Sequence, residues 1–317
     1  MLVKDETEYE DLLSLWSDLE AGLGVLLANP SHVQEFEARV HQYDRWMQDL
    51  LVRDPDLGLY LLFQLATNST VGYSTSHSLV SAVLCHLISQ ELKLSPAERD
   101  SLVSSAFSMN VAMTALQNQL ASQVERPSVA QLDQIKWHPS KGSLMLANLG
   151  ITDALWLDVV TMHHDDRTDQ GNLATVLPNF RLARILRIVD RYAAMISPRQ
   201  SRTGRSTADS IRSIVNNDTQ HLDEVGHALI RVVGLYPPGT YVRLENGAIA
   251  VVVRRSDAAN LPHVALVIED NGEALPQPRL HTTSGGQNNI QSALAASAVH
   301  LQLNHHLVLQ LATQITA

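Results

Sequence analysis

Cysteine is almost absent from this sequence. The lone Cys85 excludes an internal disulfide and any zinc site built on several thiolates. No run of about 18 apolar residues occurs, so no bilayer-spanning helix is expected. Basic residues are scarce: 23 Lys plus Arg stand against 33 Asp plus Glu, a formal net charge of −10. An acidic chain is a poor partner for DNA or RNA, because counterion release needs clustered Lys and Arg. The opening MLVKDETEYE has no apolar segment of the kind a secretory signal needs. Internal repeats are missing, and so is a compact metal motif such as H-E-x-x-H. These absences point to a cytoplasmic protein of a reducing compartment, with no nucleic-acid partner and no membrane span.

What is present is a helical pattern. The 317 residues are 45% hydrophobic and 18% charged, enough apolar content for a buried core. Leu12, Leu15, Trp16, Leu19, Leu23, Leu26 and Leu27 recur at three- and four-residue steps. After Asn29-Pro30 a second stripe runs through Val33, Phe36, Val40, Tyr43, Met47, Leu50 and Leu51, and a third short helix follows Asp54-Pro55. Residues 1–70 thus read as an N-terminal helical region, and 71–235 as a main helical domain. In that domain Ser78–Leu92 is apolar enough to be a central helix. Ser95-Pro96-Ala97-Glu98 starts another, with a capping box. Pro127-Ser128 starts a further helix, which His138-Pro139 is expected to interrupt. Residues 236–281 read as a small β appendix: Pro-Pro-Gly, then β-formers on both sides of Asn246-Gly247, a strong hairpin signal. Residues 282–317 read as a polar linker and an amphipathic tail helix from Ile290 to Ile315. The tail is expected to be buried on the body or on a partner, a second copy of the chain included. The fold class is mainly α.

Histidine is plentiful, at 14 residues. His77 opens the central helix, His138 precedes a proline, His163 and His164 are adjacent, and Asp190 sits in the apolar stretch RILRIVDRYAAM. Imidazole and carboxylate suit divalent iron, manganese, nickel or zinc. An aspartate among apolar residues is costly to bury unless it is paired or binds a cation. Each residue also has a plainer reading. A single histidine is more often a hydrogen-bonded core or surface residue, and Asp190 has Arg187 and Arg191 nearby in sequence.

The order YSTSHS, IKWHPSKG, a His-His pair opening a glycine-containing loop, IVDRYAAMISPR and YPPGTYVRLENG resembles the HD-GYP family. This is a branch of the HD-domain metal-dependent phosphohydrolases. The resemblance covers Tyr73 to Leu280, about two thirds of the chain. It implies an all-α metal domain, and in the family this domain hydrolyses cyclic di-GMP with two or three metal ions. His77, His138, His163, His164 and Asp190 match family ligand positions. Arg199, Arg202 and Arg205 fall where the family faces the nucleotide phosphates.

The match breaks at two places. Where the family carries its His-Asp dyad, this sequence reads SSAFSMNVAMTAL, with Met109 and Asn110 in the dyad positions and Ala112 for the glycine that follows. Where the family reads HHExxDGxGYP, this sequence reads HHDDRTDQGNL, with Asn172 and Leu173 for Tyr and Pro. A thioether is a poor ligand for hard cations, and a neutral amide bridges two cations badly. The expectation is therefore a degenerate site. It holds one divalent ion (Fe, Mn, Ni or Zn), with Asn110 as a weak extra ligand, or none at all. Three functions follow. The first is a non-catalytic or weakly active regulatory or ligand-binding module in cyclic dinucleotide signalling, partnered by a cyclic dinucleotide or a signalling protein. The second is an active metal-dependent phosphodiesterase with a reduced site. The third is an interaction scaffold contacting partners through its terminal helices.

Overall fold

The computed structural model describes residues 6–68, 71–197, 209–210, 213, 224–283, 289–299, 301 and 303–315. The chain begins with three helices, α1 (Glu6–Ala28), α2 (Phe36–Arg53) and α3 (Pro55–Asn68). On α1 the residues Leu12, Trp16, Leu19, Leu23, Leu26 and Leu27 are buried, as their spacing predicts. They share one core with the helices that follow, of which α4 (Tyr73–Glu91) is the centre. On α4 nearly every residue from Ser74 to Ser89 is buried, so the helix is covered on all sides. α1, α3 and the helices over 96–108, 114–122, 178–196 and 224–233 surround it.

α5 (Pro96–Ser108) starts at the expected capping box: Ser95 Oγ accepts the Glu98 N–H, and the Glu98 carboxylate accepts the Ser95 N–H. It ends in a 3₁₀ turn at Val111–Met113, then α6 (Thr114–Ser122). α7 (Val129–Asn148) begins at a second capping box, formed by Ser128 and Gln131. The expected break at His138-Pro139 does not occur: Pro139 lies inside α7 and the helix continues to Asn148. α8 (Ala154–Met162) is capped by Asp153, whose carboxylate accepts the N–H groups of Leu155 and Trp156. α9 (Pro178–Ile196) and α10 (Glu224–Val233) complete the bundle.

Among the described residues five antiparallel strands follow: β1 (Tyr241–Leu244), β2 (Ile249–Arg254), β3 (His263–Ile268), β4 (Ala274–Thr282) and β5 (Ile290–Leu294), in the order β4-β3-β2-β1-β5. The β1–β2 hairpin turns at Asn246-Gly247, with Gly247 at φ 93°. Side chains alternate. Tyr241, Val251, Val253, Ala265 and Val267 join the main core, while Val242, Leu244, Ala250, Val252, Val264 and Leu266 form a small core on the other face with Tyr236. Gly239 (φ 89°) ends the Pro-Pro-Gly turn against α3. A Cβ there would lie 3.2 Å from the Tyr60 carbonyl.

The tail departs from the sequence reading. Ile290–Leu294 is β5, paired with the free edge of β1, and the helix is confined to α11 (His305–Thr313). An open strand edge offers main-chain partners that a helix at this point would leave unsatisfied. α11 packs on β2, β4 and α1. Buried ion pairs fasten this part to the N-terminal helices: Asp54 caps α3 through the Leu57 N–H and pairs with Arg254, and Arg254 also donates to the Ala312 carbonyl.

Candidate metal centre

Three of the predicted ligands meet at the junction of α7 and α8. His138 lies in the middle of α7, and His163 and His164 follow the last residue of α8. Nitrogen atoms of all three lie within 4.8 Å of one another. His138 and His163 are buried and His164 is exposed, so the cluster has one wet side.

The tautomers of the two buried rings follow from their partners. His138 Nδ1 lies 2.6 Å from the Ile135 carbonyl oxygen, and His163 Nδ1 lies 2.7 Å from the Val160 carbonyl oxygen. A carbonyl can only accept, so each Nδ1 carries the proton. Each neutral ring then presents a bare lone pair at Nε2, and these two Nε2 atoms are 3.2 Å apart. Facing lone pairs repel unless a proton or a cation sits between them. Two ligands of one tetrahedral metal at ordinary Zn–N lengths would stand about 3.3 Å apart. Burial pushes His138 down to about 4, with His164 adding to the effect, and pushes His163 down to about 3. Both rings are neutral at pH 7, the form that ligates. The donor set fits a divalent ion.

The other two predicted ligands are paired with each other. His77 Nε2 lies 2.8 Å from Asp190 Oδ1, joining α4 to α9. Burial opposes ionisation of Asp190, but the hydrogen bond from His77 and the nearby His164 and His163 hold its carboxyl well below the usual carboxylate range. Arg187 does not compensate Asp190; it reaches Asp166 and Asp169 instead. His77 Nδ1 is buried without a hydrogen-bond partner, and its ring stacks on Tyr73 at 5.7 Å.

Met109 and Asn110 close α5 and are both buried, Met109 within the main core. Their corner packs on Gly142, one turn beyond His138: a Cβ there would meet the Met109 carbonyl at 3.6 Å. Asn110 Oδ1 is buried and has no hydrogen-bond partner. Arg199, Arg202 and Arg205 lie outside the described residues. Sequence reasoning did not single out the carbonyls of Ile135 and Val160, which orient the cluster. The one available signal was the proline after His138.

No family model matches the sequence. The chain is 25% identical over 285 residues to cyclic di-GMP phosphodiesterase PA4108 of Pseudomonas aeruginosa, a match covering 88% of this chain and 65% of that protein. The fold is similar to that of Bd1817, an HDG"Y"P protein from Bdellovibrio bacteriovorus, with a TM-score of 0.53, 14% identity and 72% of each chain covered. Among the described residues no helix is long and apolar enough to cross a membrane. The five ordered sequence signatures and the curated relative support an HD-GYP assignment, and the helical fold is shared with an HD-GYP protein of known structure.

Proposed function

We propose that the chain is a degenerate HD-GYP domain: a regulatory or ligand-binding module of cyclic dinucleotide signalling that holds at most one divalent ion and turns over little or no substrate. The observation that carries this reading is the pair Met109-Asn110, buried beside the α7 ligand helix where the family resemblance expects a His-Asp dyad. A bridging carboxylate brings two cations together by offsetting their charge; an amide does not. His138, His163 and His164 would hold the single ion, with Asn110 Oδ1 in reserve. A bound ion would polarise a phosphate oxygen or acidify a water, but one ion cannot clamp both the attacking and the leaving oxygen. His138 and His163 hold their Nδ1 protons on carbonyls and offer only lone pairs, so neither is a proton donor to a leaving group. His77 Nε2 and Asp190 Oδ1 are engaged with each other at 2.8 Å. The similarity to a cyclic di-GMP phosphodiesterase supports a cyclic dinucleotide as the ligand class.

Elemental analysis of protein purified without chelator tests the reading. About one ion per chain is expected, and none after His163→Ala. Two ions per chain would overturn it. A second reading, an active phosphodiesterase with a reduced site, draws on the converging Nε2 lone pairs. Turnover of cyclic di-GMP by metal-loaded protein that is lost in His163→Ala would replace the first reading with the second.

A further inference from the structure

The two carbonyls that orient the buried histidines are open for different reasons. At His163 the reason is the end of a helix. α8 stops at Met162, its last carbonyls have no helical donors, and Val160 O takes the Nδ1 proton. At His138 no helix end is near, because α7 runs on to Asn148. In an unbroken helix the Ile135 carbonyl would receive the N–H of residue 139. Residue 139 is proline and has no N–H. Ile135 O is therefore left open in mid-helix, and His138 Nδ1 takes it at 2.6 Å.

We infer that Pro139 is a positioning residue: by withholding its own N–H it frees the Ile135 carbonyl, and this fixes the tautomer and aim of His138 toward His163. A proline inside a helix forfeits one backbone hydrogen bond. Here the acceptor is not wasted; it passes from the backbone to an imidazole. His138 is buried, so water offers no competing acceptor for its Nδ1 proton. With Nδ1 engaged, Nε2 points its lone pair at the cluster. The consequence for metal binding rests on reading the three histidines as a metal site; the effect on the tautomer does not.

The test is Pro139→Ala, which returns an N–H to position 139 to compete for Ile135 O. The histidine ring nitrogens of metal-free, ¹⁵N-labelled protein at about pH 8, where imidazoles are neutral, report each tautomer. In the parent chain His138 and His163 both show the Nδ1–H form. In the variant His138 moves toward the Nε2–H form while His163, whose carbonyl owes nothing to the proline, stays as it was. Zn²⁺ affinity, measured by titration as the probe, falls about tenfold or more, as for other changes behind a ligand. Pro139→Gly restores the same N–H in a weaker helix former and must move His138 the same way. An unchanged His138 tautomer in both folded variants overturns the inference. If the tautomer moves but neither parent nor variant binds Zn²⁺, the positioning role stands and the metal reading fails.

Discussion

His138 and His163 meet through their Nε2 atoms at 3.2 Å, while the Nδ1 of each is tied to a main-chain carbonyl three residues back. Neither ring can relieve the contact by switching tautomer without giving up its carbonyl. The geometry thus stores a preference for a cation, and the predictions below follow from where charge is supplied and where it is missing.

Restoring the missing anion should restore the second ion. Met109→His combined with Asn110→Asp is expected to raise the metal content from about one ion per chain to about two. Elemental analysis of the purified variant checks this. In chelator the same variant should be less stable than the parent, by roughly 3 kcal/mol, because a buried carboxylate has no cation to offset it. Urea melts with and without metal separate the two effects. An unchanged metal content would mean that Met109 and Asn110 do not occupy the dyad position.

Acid should weaken the fold through His86 before any carboxylate titrates. His86 on α4 is buried; burial first and Arg99 second push its pKa down to about 4. Arg99 Nε donates to His86 Nδ1 at 3.0 Å and also pairs with Asp44 of α2. The folded state holds the neutral ring, whereas the unfolded chain takes up its proton near pH 6.5. The stabilisation is therefore full above that value and is lost as pH falls from 6.5 toward 4, at roughly 1.4 kcal/mol per pH unit for each such group. His138 and His163 act in the same sense. His86→Phe is expected to flatten the slope of stability against pH by one group's share, read from chemical melts between pH 7 and 5. An unaltered slope would remove His86 from the account.

Asp54 should be the strongest tie between the N-terminal helices and the sheet. Its carboxylate is buried, caps α3 and neutralises Arg254, which also holds the Ala312 carbonyl before the end of α11. Asp54→Ala removes a cap and leaves the partly buried Arg254 guanidinium with only the longer Asp56 contact at 3.8 Å, and is expected to cost about 2 kcal/mol. Arg254→Met with Asp54→Ala should recover part of that loss, because the guanidinium that lost its short carboxylate partner is removed with it. A double-mutant cycle by thermal melting measures the coupling; additive losses would argue against it.

Local signals were readable without the structure. The capping box at Ser95 and Glu98 and the hairpin at Asn246-Gly247 depend on residues a few positions apart, and both form as the sequence implies. Two readings failed where a distant or unexpected partner decides. Pro139 looked like a helix break, but the carbonyl it frees is taken by the neighbouring imidazole and α7 continues. Ile290–Leu294 carries a helical spacing, yet the open edge of Tyr241–Leu244 makes it a strand.

For the site, the sequence by itself determined the cast: four histidines, one aspartate among apolar residues, and a methionine and an asparagine at the positions that the resemblance aligns with a dyad. These are matters of residue type and order, which chain position records directly. Tertiary structure alone decided the grouping. It gathered His138, His163 and His164 into one cluster and gave Asp190 to His77, a residue 113 positions away. It also left Asn110 Oδ1 buried without a partner. Which lone pairs converge depends on where helices from separate parts of the chain pack and on which backbone carbonyls remain open, and neither is written in the order of the residues.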